Sequence, residues 1–118
     1  MEDLAPDIVR QRLLIEGFFT TDVDEDAIRQ YFAQAPQALG LRAYGTPTIF
    51  APGGLGQEQN EGYDAFMPLI DSGISLYVWS GPRFLSVVIF ACKRFDTADA
   101  IGLTRTYFGM TKIAHQQF

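Results

Sequence analysis

Between Ile74 and Cys92 the chain carries two strands that are apolar on both faces, and this limits the fold more than anything else in it. Ile74, Leu76 and Val78 point one way and Tyr77 and Trp79 the other; past the turn Ser80-Gly81-Pro82-Arg83, Leu85, Val87 and Ile89 oppose Phe84, Val88 and Phe90. So short a turn pairs the two strands antiparallel. Such a hairpin needs cover on both sides of its sheet. Two short amphipathic helices elsewhere suffice for one side, and 118 residues leave little room for a second domain. A second protomer is the simplest cover for the other face, so a homodimer through sheet faces is expected.

The remaining elements fall around this hairpin. Residues 1–10 read as a polar, Pro-broken tail. Gln11 to Phe19 alternates as a strand, with Leu13, Ile15 and Phe19 on one face and Leu14, Glu16 and Phe18 opposite. Carboxylates from Asp22 to Asp24 mark a helix start, and Ile28, Phe32, Ala35 and Leu39 recur at helical spacing. Pro36 is expected to end or kink that helix and Gly40 to cap it. Leu41 to Phe50 reads as a second strand turned around Gly45-Thr46-Pro47, followed by a loop from Ala51 to Gly62 that contains the polar run Gln57-Glu58-Gln59-Asn60-Glu61. Phe66–Ile70 is a strand leading into the hairpin. Asp96 or Thr97 caps a second helix with Ala100, Leu103, Tyr107 and Phe108 on one side, and Gly109 ends it. Met110–Phe118 is a short strand or tail, in which His115 is read as a tail residue. This order predicts an α+β fold, an antiparallel sheet with two helices on one face, as a single domain over residues 1–118.

Charge and composition narrow the partners. Residues 1–76 hold 12 acids and 4 bases, residues 77–118 hold 5 bases and 2 acids, and the net charge is −5. Arg83, Lys93, Arg94, Arg105 and Lys112 are dispersed rather than clustered, which argues against nucleic acid. No window reaches the roughly 20 apolar residues of a membrane span. Cys92 is the one cysteine, so it forms no intramolecular disulfide, and with one histidine it offers no Cys/His metal set. Met1-Glu2-Asp3 is acidic rather than basic and apolar, and a cytoplasmic location is the expectation.

Taken singly, few residues announce chemistry. Gly53-Gly54-Leu55-Gly56 lacks the Gly-Lys-Ser/Thr of a phosphate loop, and a Ser-His-Asp or Cys-His set is not credible with His115 alone. Asp71-Ser72-Gly73 reads as a tight turn and Cys92 as a small core residue. Glu16, in an apolar strand, needs a partner: an ion pair or a ligand.

Together, these residues form a pattern. The run Leu69-Ile70-Asp71-Ser72-Gly73-Ile74-Ser75-Leu76-Tyr77-Val78-Trp79, with Cys92 twenty residues after Ser72, resembles the core of prokaryotic S-adenosylmethionine decarboxylases. That family reads E-S-H, an apolar run, H-T-W-P-E, and then a cysteine at the same separation from the serine. Arg12-Leu13-Leu14-Ile15-Glu16 is similar to the family's H-L-x-x-E. The resemblance implies an α/β/β/α four-layer body made by two protomers, with sites near their interface. It implies self-processing as well: Ser72 attacks the Asp71 carbonyl, and the resulting ester eliminates and hydrolyses. Residues 1–71 and 72–118 are left, the second beginning with a pyruvoyl group derived from Ser72. That cofactor takes up a substrate α-amine and accepts the electrons released as carbon dioxide leaves. Cys92 matches the family's proton donor. Glu16 and Trp79 are the substrate-binding candidates, and the implied substrate is adenosylmethionine or a related amino acid, in polyamine and spermidine biosynthesis.

Several positions depart from the family pattern. Tyr77 stands at the processing histidine and Asp64 at a serine that helps hold the processing intermediate. Asp71 and Gly73 replace the glutamate and histidine that flank the serine, and Gly81 replaces a carboxylate that resembles the ribose-binding group. Tyrosine is a much weaker base than histidine at neutral pH. Two readings follow. One is a divergent pyruvoyl-dependent decarboxylase in which Ser72, Cys92, Tyr77 and Asp64 are catalytic; the alternative is a non-catalytic, unprocessed homologue that serves as a dimeric binding or regulatory module.

Overall fold

The computed structural model describes residues 1–57 and 61–118. Six strands and two helices follow in order: β1 (Gln11–Phe18), α1 (Glu25–Leu39), β2 (Thr48–Phe50), β3 (Gly62–Leu69), β4 (Ser72–Trp79), β5 (Phe84–Ala91), α2 (Thr97–Phe108) and β6 (Lys112–Gln117). They form one antiparallel sheet in the order β2-β3-β4-β5-β1-β6, with both helices on the same face, so the α+β architecture is as expected. The strand alternation divides the side chains as the sequence does. Leu13, Ile15, Ile74, Leu76, Leu85, Val87 and Ile89 turn inward and are buried with Ile28, Phe32 and Phe108 of the helices.

Both helices begin and end on their own chemistry. The Asp24 carboxylate accepts from the Ala27 N–H at 2.8 Å and the Asp96 carboxylate from the Asp99 N–H at 3.1 Å, each satisfying a donor the helix cannot. At the other ends Gly40 and Gly109 take left-handed φ values of 67° and 58°. The next N–H, of Leu41 or Met110, turns back onto Pro36 O or Arg105 O. Pro36 therefore does not end α1, which runs three residues further. Its missing N–H forfeits a single bond in the last turn, its ring is buried, and its carbonyl accepts the capping N–H of Leu41 at 2.8 Å.

Three other sequence expectations change. The second strand is confined to Thr48–Phe50, with only a bridge from Ala43 to Leu69 before it. Residues 53–56 form a 3-10 turn inside the expected loop, and 58–60 of its polar run lie outside the described residues. Met110–Phe118 is not a loose tail: β6 pairs with β1, and His115 stands on that exposed edge strand opposite Ile15. Gly17 permits the approach, since a Cβ there would lie 2.0 Å from Lys112 O.

The helices are tied by a polar contact that hydrophobic periodicity does not reveal. Tyr31 of α1 and Thr104 of α2 are fully buried with their hydroxyls 2.9 Å apart, and Thr104 donates to Ala100 O at 2.8 Å. Tyr31 must then donate to Thr104. Burial pushes the Tyr31 hydroxyl up to about 12. Because the folded value lies above that of the unfolded chain, the contribution is complete below pH 10 and is lost as pH rises towards 12. We expect alkaline unfolding to steepen in that window by roughly 2–3 kcal/mol. Tyr31→Phe, which costs about 1 kcal/mol at neutral pH by leaving Thr104 Oγ1 without its donor, flattens it. Urea titrations of both proteins at pH 7 and pH 11 measure the difference.

Candidate active site

The face of the sheet away from the helices is organised in cross-strand rows. Arg12, Phe90, Gly73 and Pro68 form the first; Leu14, Val88, Ser75, Phe66 and Thr48 the second; Glu16, Ser86, Tyr77, Asp64 and Phe50 the third; and Phe18, Phe84, Trp79 and Gly62 the fourth. Phe18, Phe66, Tyr77 and Phe90 are 42%, 44%, 40% and 39% exposed, so this face carries a broad apolar area, crossed by the polar third row and bordered by Arg12 in the first.

Ser72 and Cys92 meet at the end of the sheet next to the first row. Leu69 pairs with Ser72 across a two-residue turn, Ile70-Asp71. Asp71 takes φ 55°, a left-handed conformation that costs a non-glycine residue about 1 kcal/mol and that Asp tolerates better than most. The Asp71–Ser72 peptide thus leaves a strained corner. Ser72 Oγ accepts the Cys92 N–H at 3.0 Å, which fixes the hydroxyl and leaves its proton free to be donated.

The neighbouring chain is pinned from several sides. The Gln11 side chain brackets Phe95, donating to its carbonyl at 2.9 Å and accepting its N–H at 3.1 Å, and Lys93 Nζ donates to Gly40 O at 2.7 Å. The segment after α1 runs beside the end of β3, where Ile70 N–H donates to Arg42 O at 3.0 Å and Tyr44 N–H to Pro68 O at 3.0 Å. A cleft of about 200 Å³ results, lined by Ser72, Cys92, Asp71 and Ile70 with Arg42 and Lys93.

Glu16, Tyr77 and Asp64 lie together in the third row. Glu16 accepts from the Ser86 hydroxyl at 3.2 Å, and among the described residues no cation pairs with it, so the ion-pair alternative is not formed. Tyr77 and Asp64 are direct cross-strand partners and line a hollow of about 250 Å³ with Phe50, Phe66 and Ser75. Trp79 stacks with Phe84 at 5.7 Å in the fourth row.

The predicted residues therefore form two groups rather than one. Tyr77 is five strand residues from Ser72, about 16 Å at roughly 3.3 Å per residue. Within one chain, Tyr77 and Asp64 do not reach the Asp71–Ser72 bond. Gly73 has a local reason for being glycine: a Cβ would come within 2.6 Å of the Phe66 ring, so a histidine there requires that ring to move. Sequence reasoning missed Arg42 beside Ser72 and Cys92, Gln11 as the clamp on Phe95, and Ser86 beside Glu16. Polar side chains in strands and turns signal nothing until register brings them opposite a partner.

The sequence pattern of S-adenosylmethionine decarboxylase matches residues 19–118, which includes the Ser72 and Cys92 segments but not the Arg12–Glu16 run. Among solved structures, the crystal structure of the adenosylmethionine decarboxylase from Aquifex aeolicus VF5 is similar. It has a TM-score of 0.69 at 18% identity, over 94% of this chain and 89% of that one. No curated protein matches the sequence significantly.

Proposed function

The chain belongs to the S-adenosylmethionine decarboxylase family, and on that premise we propose that it is a self-processing, pyruvoyl-dependent decarboxylase of adenosylmethionine or a related amino acid. The observation that carries this reading is the Ser72 corner. A hydroxyl fixed by a backbone N–H follows directly on a peptide whose preceding residue is strained, and a thiol-bearing residue stands beside it. These residues fit a pyruvoyl group made from Ser72. Such a group supplies an electron sink for an α-amino acid losing carbon dioxide. Around it, the Cys92 backbone and the Gln11–Phe95 bracket hold the position, the Cys92 thiol delivers a proton, and Arg42 and Lys93 provide positive charge at the rim.

The protein acts as a homodimer in this reading. The open face exposes Phe18, Phe66 and Phe90 together, and the two groups of candidate residues lie too far apart to serve one centre within a chain. A second copy packed on the face shields the apolar area and can bring its Tyr77 and Asp64 to the first copy's Ser72 and Cys92. The second reading, a non-catalytic homologue, draws on Tyr77 at the processing-histidine position and on Gly73 packed under Phe66.

Release of labelled carbon dioxide from carboxyl-labelled adenosylmethionine tests the proposal. Wild-type protein is expected to release it, Ser72→Ala to release none, and Cys92→Ala to remain cleaved while turning over about 10²–10⁴-fold more slowly. An intact wild-type chain without release supports the second reading instead.

A further inference from the structure

Three arginines gather around one cavity at the end of the open face. Arg10, Arg12 and Arg94 line about 590 Å³ together with Glu2, Asp3 and Phe118, a volume in the range of small-molecule sites. Arg12 stands in the first row opposite Phe90, and Arg94 follows Cys92 by two residues, so β1 and the chain leaving β5 bring them together. Their charge is only partly answered. Asp3 pairs with Arg10, but among the described residues Glu2 makes no ion pair and the Arg94 side chain makes neither a hydrogen bond nor an ion pair. The Nε of Arg12 is buried without a partner among the described residues, while its guanidinium lies over the Phe118 ring at 5.8 Å.

A buried charged donor left unpaired is costly, and a native site normally satisfies it. Among the side chains that line this cavity, three guanidiniums stand against two carboxylates, a positive surplus in a chain whose net charge is −5. An oxyanion meets both conditions, offering several acceptors to forked N–H groups and cancelling the surplus charge. Asp3 already shows that the cavity accepts a carboxylate: its carboxyl is held below the usual range, first by the Ala5 N–H and further by Arg10 and Arg12.

We infer that the cavity lined by Arg10, Arg12 and Arg94 is a binding site for a small oxyanion, a phosphate or carboxylate group, held mainly by Arg12 and Arg94. The site does not depend on processing at Ser72, and its test is made on the full-length Ser72→Ala chain. Inorganic phosphate and succinate are titrated separately by calorimetry at low ionic strength. At least one is expected to bind saturably. Arg12→Gln and Arg94→Gln each weaken that binding about tenfold or more. Arg94→Lys retains part of it, and Arg29→Gln on the surface of α1 leaves it unchanged. Binding of phosphate alone or of succinate alone identifies the source of the group. Absence of saturable binding by both anions overturns the inference, as does binding that survives both glutamine variants or falls equally in Arg29→Gln. Thermal melts confirm that each variant is folded.

Discussion

Purified wild-type protein, held at neutral pH, is expected to separate by mass into two fragments covering residues 1–71 and 72–118, while Ser72→Ala is expected to remain one chain. The reason lies in local geometry. Ser72 Oγ is the only hydroxyl positioned by chain connectivity to attack the Asp71 carbonyl, and the left-handed Asp71 supplies about 1 kcal/mol of strain that breaking the turn relieves. Attack forms a C–O bond and breaks the C–N bond of the peptide. Elimination then frees the Asp71 carboxylate, and hydrolysis releases ammonia, so the second fragment is lighter by one ammonia than a serine-terminated one. Asp71→Gly keeps the turn without the strain and is expected to slow cleavage by roughly three- to tenfold. Cleavage in Ser72→Ala, or a serine-terminated second fragment, would count against the pyruvoyl assignment.

A charge placed at the centre of the open face should produce the second large effect. Val88 lies in the second row beside Leu14 and Ser75, half-buried in the free protomer, so Val88→Asp leaves the core behind the sheet intact. In a two-fold dimer the change enters twice, burying two unpaired carboxylates. Each costs at least about 2 kcal/mol, so association weakens by a thousandfold or more and sedimentation shows monomer. Processing is expected to be lost with it, because in the proposed dimer Tyr77 and Asp64 come from the partner. Mixing supplies the sharper test. Ser72→Ala and Tyr77→Phe protomers, each inactive alone, share one intact centre per mixed dimer and recover about a quarter of wild-type cleavage. No recovery on mixing would show that the centre is not shared.

The inner strands were legible because their residues alternate strictly, Gly40 and Gly109 end both helices as the sequence places them, and the starts fall within the ranges it offers, at Asp24 among Asp22 to Asp24 and at Asp96 rather than Thr97. Ser72 and Cys92 were legible as a pair only through the resemblance to the family pattern; the hydrogen bond between them depends on β4 and β5 pairing in one register. What sequence could not give is distance. The resemblance gives Tyr77 a processing position relative to Ser72 without saying how far apart they stand, and five residues of extended chain make a wide gap. Arg83 shows the same limit. It reads as one more solvated base, but its guanidinium donates to Thr20 O and Thr21 O at 2.7 and 2.8 Å and fastens the crossing from β1 to α1.

The strand order has a consequence for a cut chain. With the backbone opened between residues 71 and 72, β1, α1, β2 and β3 belong to one piece and β4, β5, α2 and β6 to the other. The pieces are interlaced, because β1 lies between β5 and β6 while β3 flanks β4. Pulling them apart means unzipping three ladders at once and emptying the core, so the nicked protein is a permanent heterodimer in all but name. The same weaving makes the chain a natural split protein: two separately produced halves have no alternative partners for their inner strands and should reassemble on mixing.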